Sequence, residues 1–103
     1  MVISGRNIVA EFMVNFPDSE RMSRAILSEV AKAKWKDPHE LKSKYGTASI
    51  IGDGCVVFNI CGNKYRVVAK IDYQSNICRF RWAGTHKEYD KLNLKGTKCL
   101  DPK

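Results

Sequence analysis

Long apolar runs are absent from this sequence. No segment approaches the roughly 20 residues that a membrane span requires, and the opening MVISGRNIVAEFMVNF carries Arg6 and Glu11 where a secretory signal needs an unbroken apolar stretch. A cytoplasmic protein is therefore expected. Cys55, Cys61, Cys78 and Cys99 form no C-x-x-C pair, which argues against a zinc knuckle and for reduced cysteines acting as small apolar groups. Glycine and proline are scarce, at seven and three, so intrinsic disorder is not indicated. Also missing are a P-loop, a Gly-rich dinucleotide fingerprint, a nucleophile elbow and a paired-carboxylate arrangement. No cofactor or metal is expected.

What the chain has in excess is positive charge, and at one end. Residues 1–63 hold eight Lys/Arg against seven Asp/Glu, whereas residues 64–103 hold ten against four, giving most of the net charge of +7. So local a field favours an anionic partner such as nucleic acid. The 103 residues fit one domain spanning 1–103, large enough for a core but not for two.

Hydrophobic spacing sets out the elements. A short strand is possible at Met1 to Ile3. Ser4 can then cap a helix whose apolar face is Ile8, Val9, Phe12, Met13 and Phe16. Pro17 ends it, Asp18 can cap a second helix reaching about Trp35, and Asp37 with Pro38 opens a short third one to about Lys44. From Ser49 the period becomes two. After a weak strand in ASII, CVVFNI and KYRVVAKI flank Gly62-Asn63, a hairpin signal that pairs Asn59 with Arg66, Val57 with Val68 and Cys55 with Lys70. Val56, Phe58, Ile60, Tyr65, Val67, Ala69 and Ile71 then face the core. In the last strand, NICRFRWAG, strict alternation puts Cys78, Phe80 and Trp82 on the core side. The fold class is α+β: two N-terminal helices packed on a three- to four-stranded antiparallel sheet, with a short C-terminal helix. About 93–103 reads as a partly flexible basic tail.

On the other side of that sheet Lys64, Arg66, Arg79 and Arg81 share a face, with Arg81 either opposite Arg66 or opposite Val68 as its diagonal neighbour. Like charges across strands repel unless an anion neutralises them, so the cluster suggests an anion site. The strand then runs into GTHKEYDKL, where Thr85 and Glu88 form a capping box and His86 and Tyr89, three apart, share a helix face beside the basic cluster. An imidazole and a phenol next to fixed cations can move protons at a phosphodiester. His39, Trp35 and Trp82 read as structural.

VVFNICGNKYRVVAKIDY followed by CRFRWAGTHKEYDKL, with AKWKDPHELKSKY upstream, closely resembles the HigB toxins of bacterial type II toxin-antitoxin systems, in the RelE-like superfamily. The resemblance implies a ribosome-associated mRNA endoribonuclease that inhibits translation and growth. It implies a helix-turn-helix antitoxin of the HigA type, through which the complex would bind operator DNA. Carried onto this chain, the resemblance implies catalytic positions at Lys64, Arg66, Arg81, His86 and Tyr89 and includes Asn59 in the same motif; Asn59 is expected to bind RNA, as are Arg79 on the basic face and Lys87 and Lys91. The implied reaction is metal-independent attack of the RNA 2′-hydroxyl on the adjacent phosphate. The alternative is a non-catalytic basic module of the same fold that binds RNA or an acidic protein.

Overall fold

The hairpin register is the frame on which the rest is hung. In a computed structural model, which describes residues 1–92, strands β3 (Cys55–Ile60) and β4 (Tyr65–Asp72) pair antiparallel with Asn59 opposite Arg66, Val57 opposite Val68 and Cys55 opposite Lys70. The tail at 93–103, with Cys99, lies outside the described residues. The turn between the strands is tight, with Lys64 N donating to Cys61 O at 3.2 Å and both Cys61 and Gly62 at positive φ.

Among the described residues five strands make the sheet, one more than the upper expectation. β1 is Val2–Ser4, β2 is Ser49–Gly52 and β5 is Ile77–Thr85, and the order across the sheet is β1-β5-β4-β3-β2. β1 runs parallel to β5 while the other pairs are antiparallel, so the sheet is mixed. The helices α1 (Arg6–Asn15), α2 (Glu20–Lys32) and α3 (Pro38–Lys44) precede β2, and α4 (His86–Asp90) follows β5.

All seven residues expected to face the core are buried with Cys78, Phe80, Val9, Phe12, Ile26, Val30 and Leu41. A smaller apolar cluster covers the opposite face, built from Cys55, Val57 and Val68 with Trp82, Tyr89 and Leu92 packed on it. Trp82 therefore departs from the expectation. The register of β5 slips between Val68 and Ala69, with Ala69 opposite Phe80 but Val68 opposite Trp82. This is a bulge: two residues, Arg81 and Trp82, face the single residue Val68. The extra residue turns Trp82 to the outer face and moves Ala83 into contact with the main core.

Two expected caps are replaced. Ser4 ends β1, and α1 starts from Gly5 at φ 81°, where a Cβ would lie 2.2 Å from the Phe80 carbonyl oxygen. Only glycine permits that approach to β5. Asp18 sits in a 3₁₀ turn, Pro17–Ser19, that joins α1 to α2, and α2 stops at Lys32, short of Trp35. The third cap stands: Asp37 accepts from Glu40 N at 3.0 Å, with Pro38 opening α3. Cys61 and Cys78 are free thiols, but Cys55 is disulfide-bonded, contrary to the expected reduced state. Cysteine spacing without a recognisable motif does not reveal connectivity.

Candidate functional site

Arg66 points out of β4 on the face away from the three N-terminal helices, opposite Gly84 on β5. With no side chain at Gly84, the guanidinium reaches over α4 and lies 5.8 Å from the centre of the Tyr89 ring, a cation–π distance. Its Nη1 also donates to the Asn63 and Tyr65 carbonyls, both at 3.3 Å. The Tyr89 ring stands tilted 6.3 Å from Trp82, so the bulge supplies an aromatic neighbour that strict alternation would have buried. Burial raises the Tyr89 phenol above its usual range, with the Arg66 charge pulling the other way. Tyr89 stays protonated at neutral pH.

His86 is the first residue of α4. Thr85 Oγ1 accepts from Glu88 N at 3.1 Å and Glu88 Oε1 accepts from Thr85 N at 3.0 Å, the capping box read from the sequence. His86 N donates to Lys64 O at 3.0 Å, which fastens the start of α4 to the β3–β4 turn. The imidazole Nδ1 lies 3.0 Å from Asp90 Oδ2, one turn on, leaving Nε2 as the nitrogen turned away from that carboxylate.

Lys64 does not lie over the sheet with Arg66. Its Nζ donates to Asp18 Oδ2 at 2.5 Å and sits 5.3 Å from the Tyr65 ring centre. The hydrogen bond to Asp18, together with that carboxylate's charge, raises the Lys64 pKa. That direction favours the charged form, so Lys64 stands as a cation beside Asp18. The same two partners, Lys64 first and then Tyr65, lower the Asp18 carboxyl.

The remaining expected positions spread outward. Arg81 is the extra residue of the bulge, between Phe80 opposite Ala69 and Trp82 opposite Val68. It also borders a hollow of about 240 Å³ formed with Glu11, Phe12 and Phe16. Arg79 faces Lys70 four positions further along β4 and helps to hold the Asp72 carboxyl below its ordinary range, after hydrogen bonds from the Ser75 and Gln74 region. Asn59 is directly opposite Arg66, but its amide is engaged with the Thr47 carbonyl at 2.8 Å. Lys87 and Lys91 are exposed on and just after α4. The structure thus puts Arg66 on Tyr89 of α4 and ties the start of α4, with His86, to the Lys64 backbone at one corner of the sheet, while the Lys64 ammonium turns to Asp18, Arg81 borders α1, and Arg79 lies at the other end.

Asp18, Tyr65 and Asp90 join this corner without having been read as site residues from the sequence. Asp90 carried a signal, its i,i+4 spacing from His86. Asp18 and Tyr65 are brought in by tertiary packing from 47 positions apart. Among the described residues no group of three or more His, Cys, Asp or Glu could hold a metal ion, and no helix is long and apolar enough to cross a membrane.

Residues 19–92 match the family model of the HigB toxin, a RelE-like toxic component of a toxin-antitoxin system. The chain is 35% identical over 77 residues to the mRNA interferase toxin HigB of Escherichia coli (strain K12), covering 73% of this chain and 74% of that protein. The mRNA interferase HigB proteins of Escherichia coli O157:H7 and Shigella flexneri are similar to the same extent.

Proposed function

The chain belongs to the HigB family of RelE-like toxins, and from that premise we propose that it is an mRNA endoribonuclease acting on translating ribosomes, so that message loss halts translation and growth. The observation that carries this reading is the corner itself. The Arg66 guanidinium lies on Tyr89 of α4, and the start of α4, which carries His86, is fastened to the carbonyl of Lys64.

In the proposed reaction the RNA 2′-hydroxyl attacks the adjacent phosphorus and the bond to the 5′-oxygen breaks. The products are a 2′,3′-cyclic phosphate and a 5′-hydroxyl end. The nucleophile belongs to the substrate, so the protein has to supply charge and proton transfer, and no metal is needed. Arg66 and Arg81 hold the phosphate and take up the charge that grows on its oxygens, with Lys64 as a third cation. His86, working through Nε2 while Asp90 faces Nδ1, moves the proton. Tyr89, protonated at neutral pH, donates a hydrogen bond or stacks on a base and keeps Arg66 in place.

A basic toxin that cuts message has to be silenced in its own cytoplasm. The partner in this reading is an antitoxin of the HigA helix-turn-helix type, whose complex with the toxin would bind operator DNA through the antitoxin. Ribosomal RNA is the further contact, through Arg79, Lys87 and Lys91.

Induction of wild type, Arg66→Ala, Arg81→Ala and His86→Ala without antitoxin tests the reading, with growth and new mRNA 5′ ends followed together. Wild type should arrest growth and create new ends, and the folded variants should lose both. Unaffected growth with folded wild-type protein would favour the non-catalytic binding module.

A further inference from the structure

Lys64 stands on a support that begins in the core. The Tyr65 ring is 3% exposed and packs edge-on to Phe12 at 5.3 Å and against Phe16 at 5.1 Å between ring centres. Its hydroxyl, fixed by that packing, donates to Asp18 Oδ1 at 2.6 Å. The second oxygen of the same carboxylate holds the Lys64 ammonium. Asp18 itself is presented by the 3₁₀ turn, which the fully buried Ser19 fastens by donating from both N and Oγ to the Phe16 carbonyl, at 2.9 and 2.7 Å.

An ordinary surface ion pair holds two flexible side chains weakly. This one differs because the carboxylate has a second, core-anchored partner, so a long lysine is given one direction. The Lys64 side chain remains 59% exposed, which leaves room for a phosphate oxygen beside the carboxylate. Its backbone carbonyl is the acceptor for His86 N.

We propose that Asp18, through its bridge from Tyr65 to Lys64, is a positioning residue for RNA cleavage that holds the Lys64 ammonium where the attacked phosphate arrives. The inference rests on the ribonuclease reading above. Pre-orienting a cation matters most at the transition state, where misplacement of charge slows the reaction without abolishing binding.

The test is a set of double-mutant cycles on the initial rate of cleavage of a reporter mRNA in a cell-free translation reaction. The proteins are wild type, Asp18→Asn, Tyr65→Phe, Lys64→Met, and each of the first two combined with Lys64→Met. Asn keeps the size of the carboxylate and Phe keeps the ring, and thermal melting verifies the fold of each variant. Asp18→Asn should slow cleavage roughly tenfold and Tyr65→Phe a few fold, and neither should slow the Lys64→Met protein further. A merely structural role would slow both backgrounds alike.

Affinity for the same message, measured in a His86→Ala protein so that no cleavage intervenes, gives a second readout. Asp18→Asn should weaken binding only while Lys64 is present. Equal effects with and without Lys64, or a wild-type rate for Asp18→Asn, overturn the proposal while the ribonuclease reading stands. An intact message with folded wild type refutes that reading and the proposal together.

Discussion

Single residues decide where this protein spends stability on something other than packing. Ser23 is 1% exposed on α2, its hydroxyl has no hydrogen-bond partner, and it borders a narrow gap with Val9, Ile60, Val67 and Phe80. A buried hydroxyl without a partner costs free energy. Ser23→Ala should therefore stabilise the fold by about 1 kcal/mol, read as a higher denaturant midpoint with an unchanged slope. Tyr73 and Cys78 tell a pH story. Burial first of all pushes the Tyr73 phenol up to about 12 from 10.0 and the Cys78 thiol up to about 12 from 9.0. Both groups keep their protons in the folded state at a pH where the unfolded chain has lost them, so their contribution is full below about pH 9 and fades towards 12. Melting temperature should fall as pH rises through this window, and Tyr73→Phe should flatten the fall. An unchanged alkaline slope in that variant would refute the assignment. Neither residue announced this in the sequence, because an apolar alternation says which way a side chain points and not whether its polar end finds a partner.

At the scale of elements, what could be read was what chemistry makes local. The Gly62-Asn63 hairpin and its register, the Asp37-Pro38 start of α3 and the Thr85–Glu88 capping box each depend on residues a few positions apart. The bulge in β5 was not legible. Arg81 and Trp82 carry no glycine or other mark of a slipped register, and the alternation of NICRFRWAG fits an unbroken strand equally well. Its consequence is large, since the slip turns Trp82 towards Tyr89 and changes what shares a face with Arg66. The caps assigned to Ser4 and Asp18 failed for a related reason: pairing to β5 claims Ser4, and Lys64 and Tyr65 claim Asp18, through contacts distant in sequence. Of the candidate site, Arg66, His86 and Tyr89 were thus visible as a group, whereas the carboxylate that fixes Lys64 was not. Because α4 has only five residues, its first turn depends on the capping box together with the His86 N to Lys64 O bond. Thr85→Ala should cost about 1 kcal/mol locally, and cleavage should fall more than the melting temperature does. Equal loss in both would mean that α4 only packs.

For the whole molecule, the distribution of charge is the organising fact. The three N-terminal helices cover one face of the sheet, and on the other a small buried apolar cluster, packed under Trp82, Tyr89 and Leu92, lies between the Arg66 corner and the Lys70–Arg79 pair, so cations stand at both ends of that face. A net charge of +7 should draw RNA through its phosphates, with affinity falling as salt rises. Replacing Arg66, Arg81 or Lys64 by a neutral residue should each reduce the slope of log affinity against log salt by about 1, with little change in sequence preference. Asn59→Ala should leave that slope unchanged, because its amide serves the Thr47 carbonyl. Binding alone, however, would satisfy a non-catalytic module equally well. The most direct measurement is therefore the chemistry of the ends made from a reporter mRNA in a cell-free translation reaction, by purified wild type and by His86→Ala. The account predicts a 5′-hydroxyl end and a 2′,3′-cyclic phosphate from the wild type, and neither from the folded variant. A message left whole by folded wild type, or fragments bearing 5′-phosphates, would contradict it.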